Sequence, residues 1–222
     1  MLRDIYRLLR KEIQQELSEQ NATLVILLYV LSSVYVTYLC FTKVLSISTW
    51  NALFWVIVLF GAFNATLRVF DKEQGGKDLF LSQLVAPQVI YWAKAVFASL
   101  LSIVVAGIGF ACFVVFMGLP SETTLASVAW FGLLILLAGL GLGALLALIN
   151  GIAFKSGNSI GMASILGLPL SMPLVILLIR ISTHILAGQP IAVFQKYFLS
   201  LLALDLIILV LASLLFPYLW RD

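Results

Sequence analysis

Arg68–Lys94 reads RVFDKEQGGKDLFLSQLVAPQVIYWAK. It decides the fold because of what flanks it. Long apolar runs lie on both sides, Trp50–Val69 before it and Ala93–Met117 after it. Each is close to the ~20 residues that a helix needs to cross a bilayer. The stretch itself gathers Arg68, Asp71, Lys72, Glu73, Lys77, Asp78 and Lys94, a large share of the few charges in the chain. A segment of this kind, held in water between two membrane spans, is where a membrane protein meets something soluble.

Composition agrees. The chain is 63% hydrophobic and 10% charged, against about 25% charged residues in ordinary soluble domains. Too few polar residues exist to coat a soluble core. The apolar runs are continuous rather than alternating, which argues against a membrane β-barrel. The expectation is an all-α polytopic membrane protein, a single domain over residues 1–222.

Met1–Gln20 is amphipathic rather than apolar. Leu2, Ile5, Tyr6, Leu9, Ile13 and Leu17 recur at spacings of three and four, one face of a helix. Arg3, Arg7, Arg10, Lys11 and Glu12 fill much of the rest. Such a helix suits the membrane interface, with its basic side among headgroups; packing on a partner is the alternative. No cleavable signal is apparent, so the first span is expected to stay in the mature protein.

Six spans are expected, near Ala22–Thr42, Trp50–Val69, Ala93–Met117, Leu125–Ile149, Ile160–Ile181 and Tyr197–Leu219. Trp50, Trp55, Tyr91, Trp92, Trp130, Tyr197, Tyr218 and Trp220 fall towards span ends, where amphipathic rings prefer the interface. Arg3, Arg7, Arg10, Lys11, Arg68, Lys72, Lys77, Lys94, Lys155 and Arg221 fall on one side, with Lys43, Arg180 and Lys196 on the other. The basic side belongs in the cytoplasm. Both termini and residues 71–91 are then expected there. Asn150–Ser159 is expected to be a second cytoplasmic turn, and Ser182–Lys196 an outward segment broken by Gly188 and Pro190.

Residues 71–91 have an internal logic. Gly75-Gly76 breaks helix and permits a sharp turn. Lys77-Asp78 opens a short run whose apolar members are Phe80, Leu81 and Leu84, and Pro87 ends it. A short helix with an aromatic anchor fits a groove on a partner; resting on lipid headgroups is the equal alternative. On the first reading the segment is a handle through which a separate motor protein moves a permease.

Other chemistry is sparse. There is no GxxxxGK[ST] phosphate loop and no CxxCH, so neither ATP binding of that kind nor covalent haem attachment is expected. The chain is not expected to be an enzyme, to bind a metal or to bind nucleic acid. His184 is the one histidine; it is structural or solvated, or more remotely an axial haem ligand. Cys40 and Cys112 match no metal or redox spacing.

Gly139 and Gly143 have GxxxG spacing, as do Gly157 and Gly161, which suits close helix contacts within the chain or in a dimer. Pro169 and Pro173 should kink or locally unwind the fifth span, for gating or for static packing. Asp205 is the one acid well inside a span, and Arg180 is its nearest plausible partner by depth. The pair is either structural or part of a transport path. Asn64 and Asn150 are lesser polar candidates.

Three of these stretches together resemble the permease family of cytochrome c maturation protein B (CcmB), the haem exporter subunit, within the wider ABC-2 type of exporter permease. They are Arg68-Val-Phe with EQGGKDLFLSQLVAP and Ala93-Lys94, the double-proline LPLSMPLVI of the fifth span, and the basic amphipathic opening helix. The resemblance covers nearly the whole chain. It implies a half-transporter in a bacterial inner membrane, paired with a second copy of itself and a separate CcmA-like ATPase, beside CcmC-like and CcmD-like subunits. Haem would be the transported or handled ligand. Asp71, Glu73, Gly75, Gly76, Lys77, Phe80, Leu84 and Pro87 would fall in the ATPase-coupling segment, and Pro169, Pro173, Arg180 and Asp205 are the gating or transport candidates. An ABC-2 exporter for a lipid or drug, and a scaffold that only recruits the ATPase, are the other readings.

Overall fold

A computed structural model describes residues 2–18, 20–41, 46–71, 86–120, 122–155 and 159–219. The described residues form seven helices and no strand: α1 Leu2–Ser18, α2 Gln20–Cys40, α3 Ile47–Asp71, α4 Pro87–Met117, α5 Leu125–Lys155, α6 Ser159–Leu186 and α7 Ile191–Leu219. This is a polytopic helical membrane protein. Five helices, α3 to α7, are long and apolar enough to cross a bilayer. The first expected span corresponds to α2, whose described apolar part, Leu24–Cys40, is shorter than that measure.

Short polar and glycine signals set the helix ends. The Ser46 hydroxyl accepts from the Thr49 amide at 3.3 Å, and Thr124 Oγ1 from the Ser127 amide at 3.2 Å, each holding an amide that has no partner in the first turn. Pro87 opens α4, where its missing N–H costs nothing. Gly118 (φ 71°) ends α4 and Gly188 (φ 63°) follows α6, both in the left-handed region that a side chain disfavours.

Several helices overrun their expected spans. α4 begins at Pro87 rather than Ala93, α5 continues to Lys155, and α6 reaches Leu186 with α7 resuming at Ile191. Pro87 therefore starts a helix, and the short run it is expected to end lies outside the described residues. Hydropathy finds the apolar slab, whereas a helix propagates through polar residues until a breaker stops it.

Around α5 the core closes, packed against α4, α6, α3 and α7. Its tightest seam is with α4. A Cβ placed on Gly143 would lie 2.2 Å from Ser99 Cα, and one on Gly139 2.3 Å from Ile103 Cγ1. The GxxxG pair is thus spent on packing within the chain, and the missing side chains let the two backbones meet. Gly157, of the second pair, lies outside the described residues.

Three rings expected at the interface are inside. Trp50, Trp55 and Tyr91 are buried. Each polar tip has found an internal acceptor: Trp50 Nε1 donates to the Gly118 carbonyl at 3.1 Å, Trp55 Nε1 to Ser182 Oγ at 2.9 Å, and the Tyr91 hydroxyl to the Ala144 carbonyl at 3.3 Å. Trp50, Phe54, Phe110, Phe113 and Phe131 form one aromatic cluster, with ring centroids 4.8 to 6.4 Å apart.

α6 stays helical through Pro169 and Pro173, so of the kink or local unwinding expected there, the unwinding does not occur. Both prolines are exposed on a stripe with Ile165, Met172, Ile176 and Arg180. Neither lines the cavity between α4, α5 and α7.

The α4–α5 seam can be tested directly. Gly143→Ala should destabilise the purified protein by about 1–3 kcal/mol through overpacking. Gly132→Ala, with nothing within 4 Å of the added Cβ, should be neutral or slightly stabilising in the same thermal unfolding assay.

Candidate functional site

One end of the bundle carries α1, the end of α3 and the start of α4. The chain returns Pro87 beside α3, and two turns later Lys94 points inward. Lys94 is buried, and its Nζ donates to the Val69 carbonyl at 2.5 Å. Val69 lies in the last turn of α3, where carbonyls lack helical partners, so the lysine caps that helix and meets the negative end of its dipole. Glu12 of α1 lies opposite, with Oε1 3.6 Å from Nζ and both side chains buried. Glu12 Oε2 has no hydrogen-bond partner.

Glu12 reverses an expectation. Periodicity groups it with the polar residues of α1, yet it is buried between Leu9 and Ile13, which pack on the cluster formed by Val69, Tyr91 and Phe97. Arg3, Arg7, Arg10 and Lys11 remain exposed. α1 is docked on its own bundle, with an ion pair under it. A second tie lies close by: Asn150 of α5 donates to the Thr66 carbonyl of α3 at 3.0 Å, leaving its own Oδ1 unpartnered. Asn64 is exposed and bonds only within its own helix, to Phe60.

Of the expected coupling residues, Asp71 is the last residue of α3 and Pro87 the first of α4. Glu73, Gly75, Gly76, Lys77, Phe80 and Leu84 lie outside the described residues. The Lys94 knot thus joins α3, two residues before the segment, to α4, two turns after it.

Asp205 occupies a different place. It lines a cavity of about 400 Å³ between α4, α5 and α7, with Ser99, Leu140 and Gly141 among its neighbours. A Cβ on Gly141 would lie 2.1 Å from Asp205 Oδ1, so the carboxylate rests on bare α5 backbone. Those amides are already used inside the helix, and Oδ1 has no hydrogen-bond partner.

The expected pair with Arg180 does not form; among the described residues no ion pair joins the two. Arg180 is exposed and six residues from the end of α6, whereas Asp205 is fourteen residues into α7. At 1.5 Å per residue their depths differ by about 12 Å. Sequence distance from the shared turn at 187–190 would have revealed the mismatch.

The opposite end is knotted more completely. Asn51 Nδ2 donates to the Ile179 carbonyl and Thr183 Oγ1, both at 2.8 Å, and Asn51 Oδ1 accepts from Ser182 at 2.7 Å. With the Trp55 bond to Ser182, these groups lock α3 to α6. His184 Nδ1 is 2.7 Å from Gln189 Oε1, and its ring stacks on Tyr197 with centroids 5.7 Å apart. No cluster of three or more His, Cys, Asp or Glu residues suited to a metal exists among the described residues. Cys40 and Cys112 are unpaired with each other, in α2 and α4.

Sequence reasoning missed Glu12, Asn51, Ser182 and the seat at Gly141. A signal existed for the first: Lys94 is a base at the start of an apolar helix, and a buried base needs an acid. No family model, curated protein or solved structure matches the chain.

Lys94→Met should leave Glu12 buried and unpaired, at a cost of about 3–5 kcal/mol. Adding Glu12→Gln should recover part of that loss. A double-mutant cycle on thermal stability checks the coupling, and strictly additive losses would disprove it.

Proposed function

We propose that this chain is the membrane permease subunit of an exporter driven by a separate ATPase, acting in haem delivery for c-type cytochrome biogenesis. The family resemblance of Arg68–Lys94, the double-proline helix and the basic opening helix supplies the haem context. One structural observation supports the coupling: α3 ends at Asp71 and α4 begins at Pro87, and the Lys94–Val69–Glu12 contacts tie both helices to α1 at that point. A force applied to the segment between them would reach three helices through one buried knot.

In this reading the α1 end faces the cytoplasm of a bacterium, as the basic residues on that side indicate. ATP hydrolysis belongs to a CcmA-like partner, with CcmC-like and CcmD-like subunits and a second copy of the chain completing the assembly. Glu73 and Phe80 make the docking contact. An exporter of the same architecture for a lipid or drug is the second reading, favoured by the groove at Asp205.

The proposal predicts that Glu73→Ala or Phe80→Ala, in the complex purified with its ATPase, changes ATP hydrolysis several-fold and lowers c-type cytochrome yield while the subunits still co-purify. Unchanged hydrolysis in an intact complex would instead indicate a scaffold. Normal hydrolysis coupling with normal cytochrome yield in a deletion strain would point to another cargo.

A further inference from the structure

We propose that the groove between α4, α5 and α7 binds an amphiphilic cation from the lipid side, its ammonium group pairing with Asp205. The inference stands on the groove alone and holds whatever cargo the permease carries.

Size and lining come first. About 400 Å³ of space is within the range of small-molecule sites, which are apolar with a few placed polar groups. Here the polar side chains are Ser99, Asp205 and the Trp92 indole. Ser99 already donates to the Leu140 carbonyl at 3.3 Å. Asp205 is the acid of the site, and its buried Oδ1 is bonded to nothing.

The charge then selects the ligand. A carboxylate among apolar side chains favours a positive group that also donates a hydrogen bond. No basic residue lines the groove. Lys94, on α4, is committed to Val69 and Glu12, and Arg180 lies at another depth. Gly141 leaves the carboxylate room that any side chain would fill.

Access is lateral. Val96, Leu100, Leu140, Leu202 and Leu206 are exposed along the rim, so a molecule dissolved in the bilayer reaches the acid without crossing water. Along α4 the lining runs from Trp92 to Ile103, about 16 Å. That length suits the apolar body of one amphiphile, whereas a docked transmembrane helix needs a trough down the whole span.

The test uses the full-length chain in lipid nanodiscs and a fluorescent naphthyl-alkylammonium probe, with its uncharged methyl analogue as control. Saturable binding of the cation is expected, at least tenfold weaker in Asp205→Asn and absent in Leu140→Trp, where the added ring fills the groove. A monodisperse, folded Asp205→Asn variant that binds the cation as well as the native chain would overturn the proposal. So would equal binding of the uncharged analogue. Disulfide capture of another chain's transmembrane helix by Leu206→Cys in intact membranes would assign the groove to that helix and overturn the proposal as well.

Discussion

Lipid offers a buried polar group no partner, and most of this structure answers that constraint. Backbone groups satisfy one another by forming helices. Side chains must then find the remaining acceptors, which are mostly carbonyls of their own or a neighbouring helix. Thr66 bonds to Ala62 and Ser102 to Ala98. The indoles of Trp50 and Trp55 and the phenol of Tyr91 reach across to other elements. Lys94 goes furthest, since a buried cation requires an acceptor and an opposite charge together. The Val69 carbonyl supplies one and Glu12 the other.

These contacts divide unevenly between the two ends. Asn51, Ser182, Thr183 and Trp55 saturate one another and lock α3 to α6. At the α1 end, Glu12 and Asn150 each keep one buried oxygen without a partner. Buried networks stabilise most when every member is satisfied. The α1 end is therefore the end whose polar contacts hold the helices less completely, and it is also where residues 72–85 join the bundle.

The helical class and most of the spans were legible because hydropathy over about twenty residues records a bulk property that no tertiary contact alters. Gly139 and Gly143 were legible as a close seam, though their partner helix was not, since spacing names a face and not its neighbour. Periodicity misplaced Glu12 by treating every charge on α1 as solvated. The interface rule placed Trp50, Trp55 and Tyr91 towards span ends without their burial, because it weighs ring chemistry and cannot see an internal acceptor. Pro169 and Pro173 announced a kink or an unwound turn, and α6 stays helical through both; they share an exposed stripe.

Asp205 could be picked out by composition, and its surroundings could not. One acid in an apolar span announces a cost but not what offsets it. Arg180 was the available base, and counting residues from the turn between α6 and α7 removes it. What remains is a carboxylate set on a glycine, facing a groove open to the bilayer. Had Gly141 been alanine, the added carbon would have displaced the acid from this position. The chain thus sets a buried acid on the residue that makes space for it, whereas at Lys94 the Val69 carbonyl and Glu12 offset the charge. A site left unsatisfied from within has room for a completing group from outside the chain.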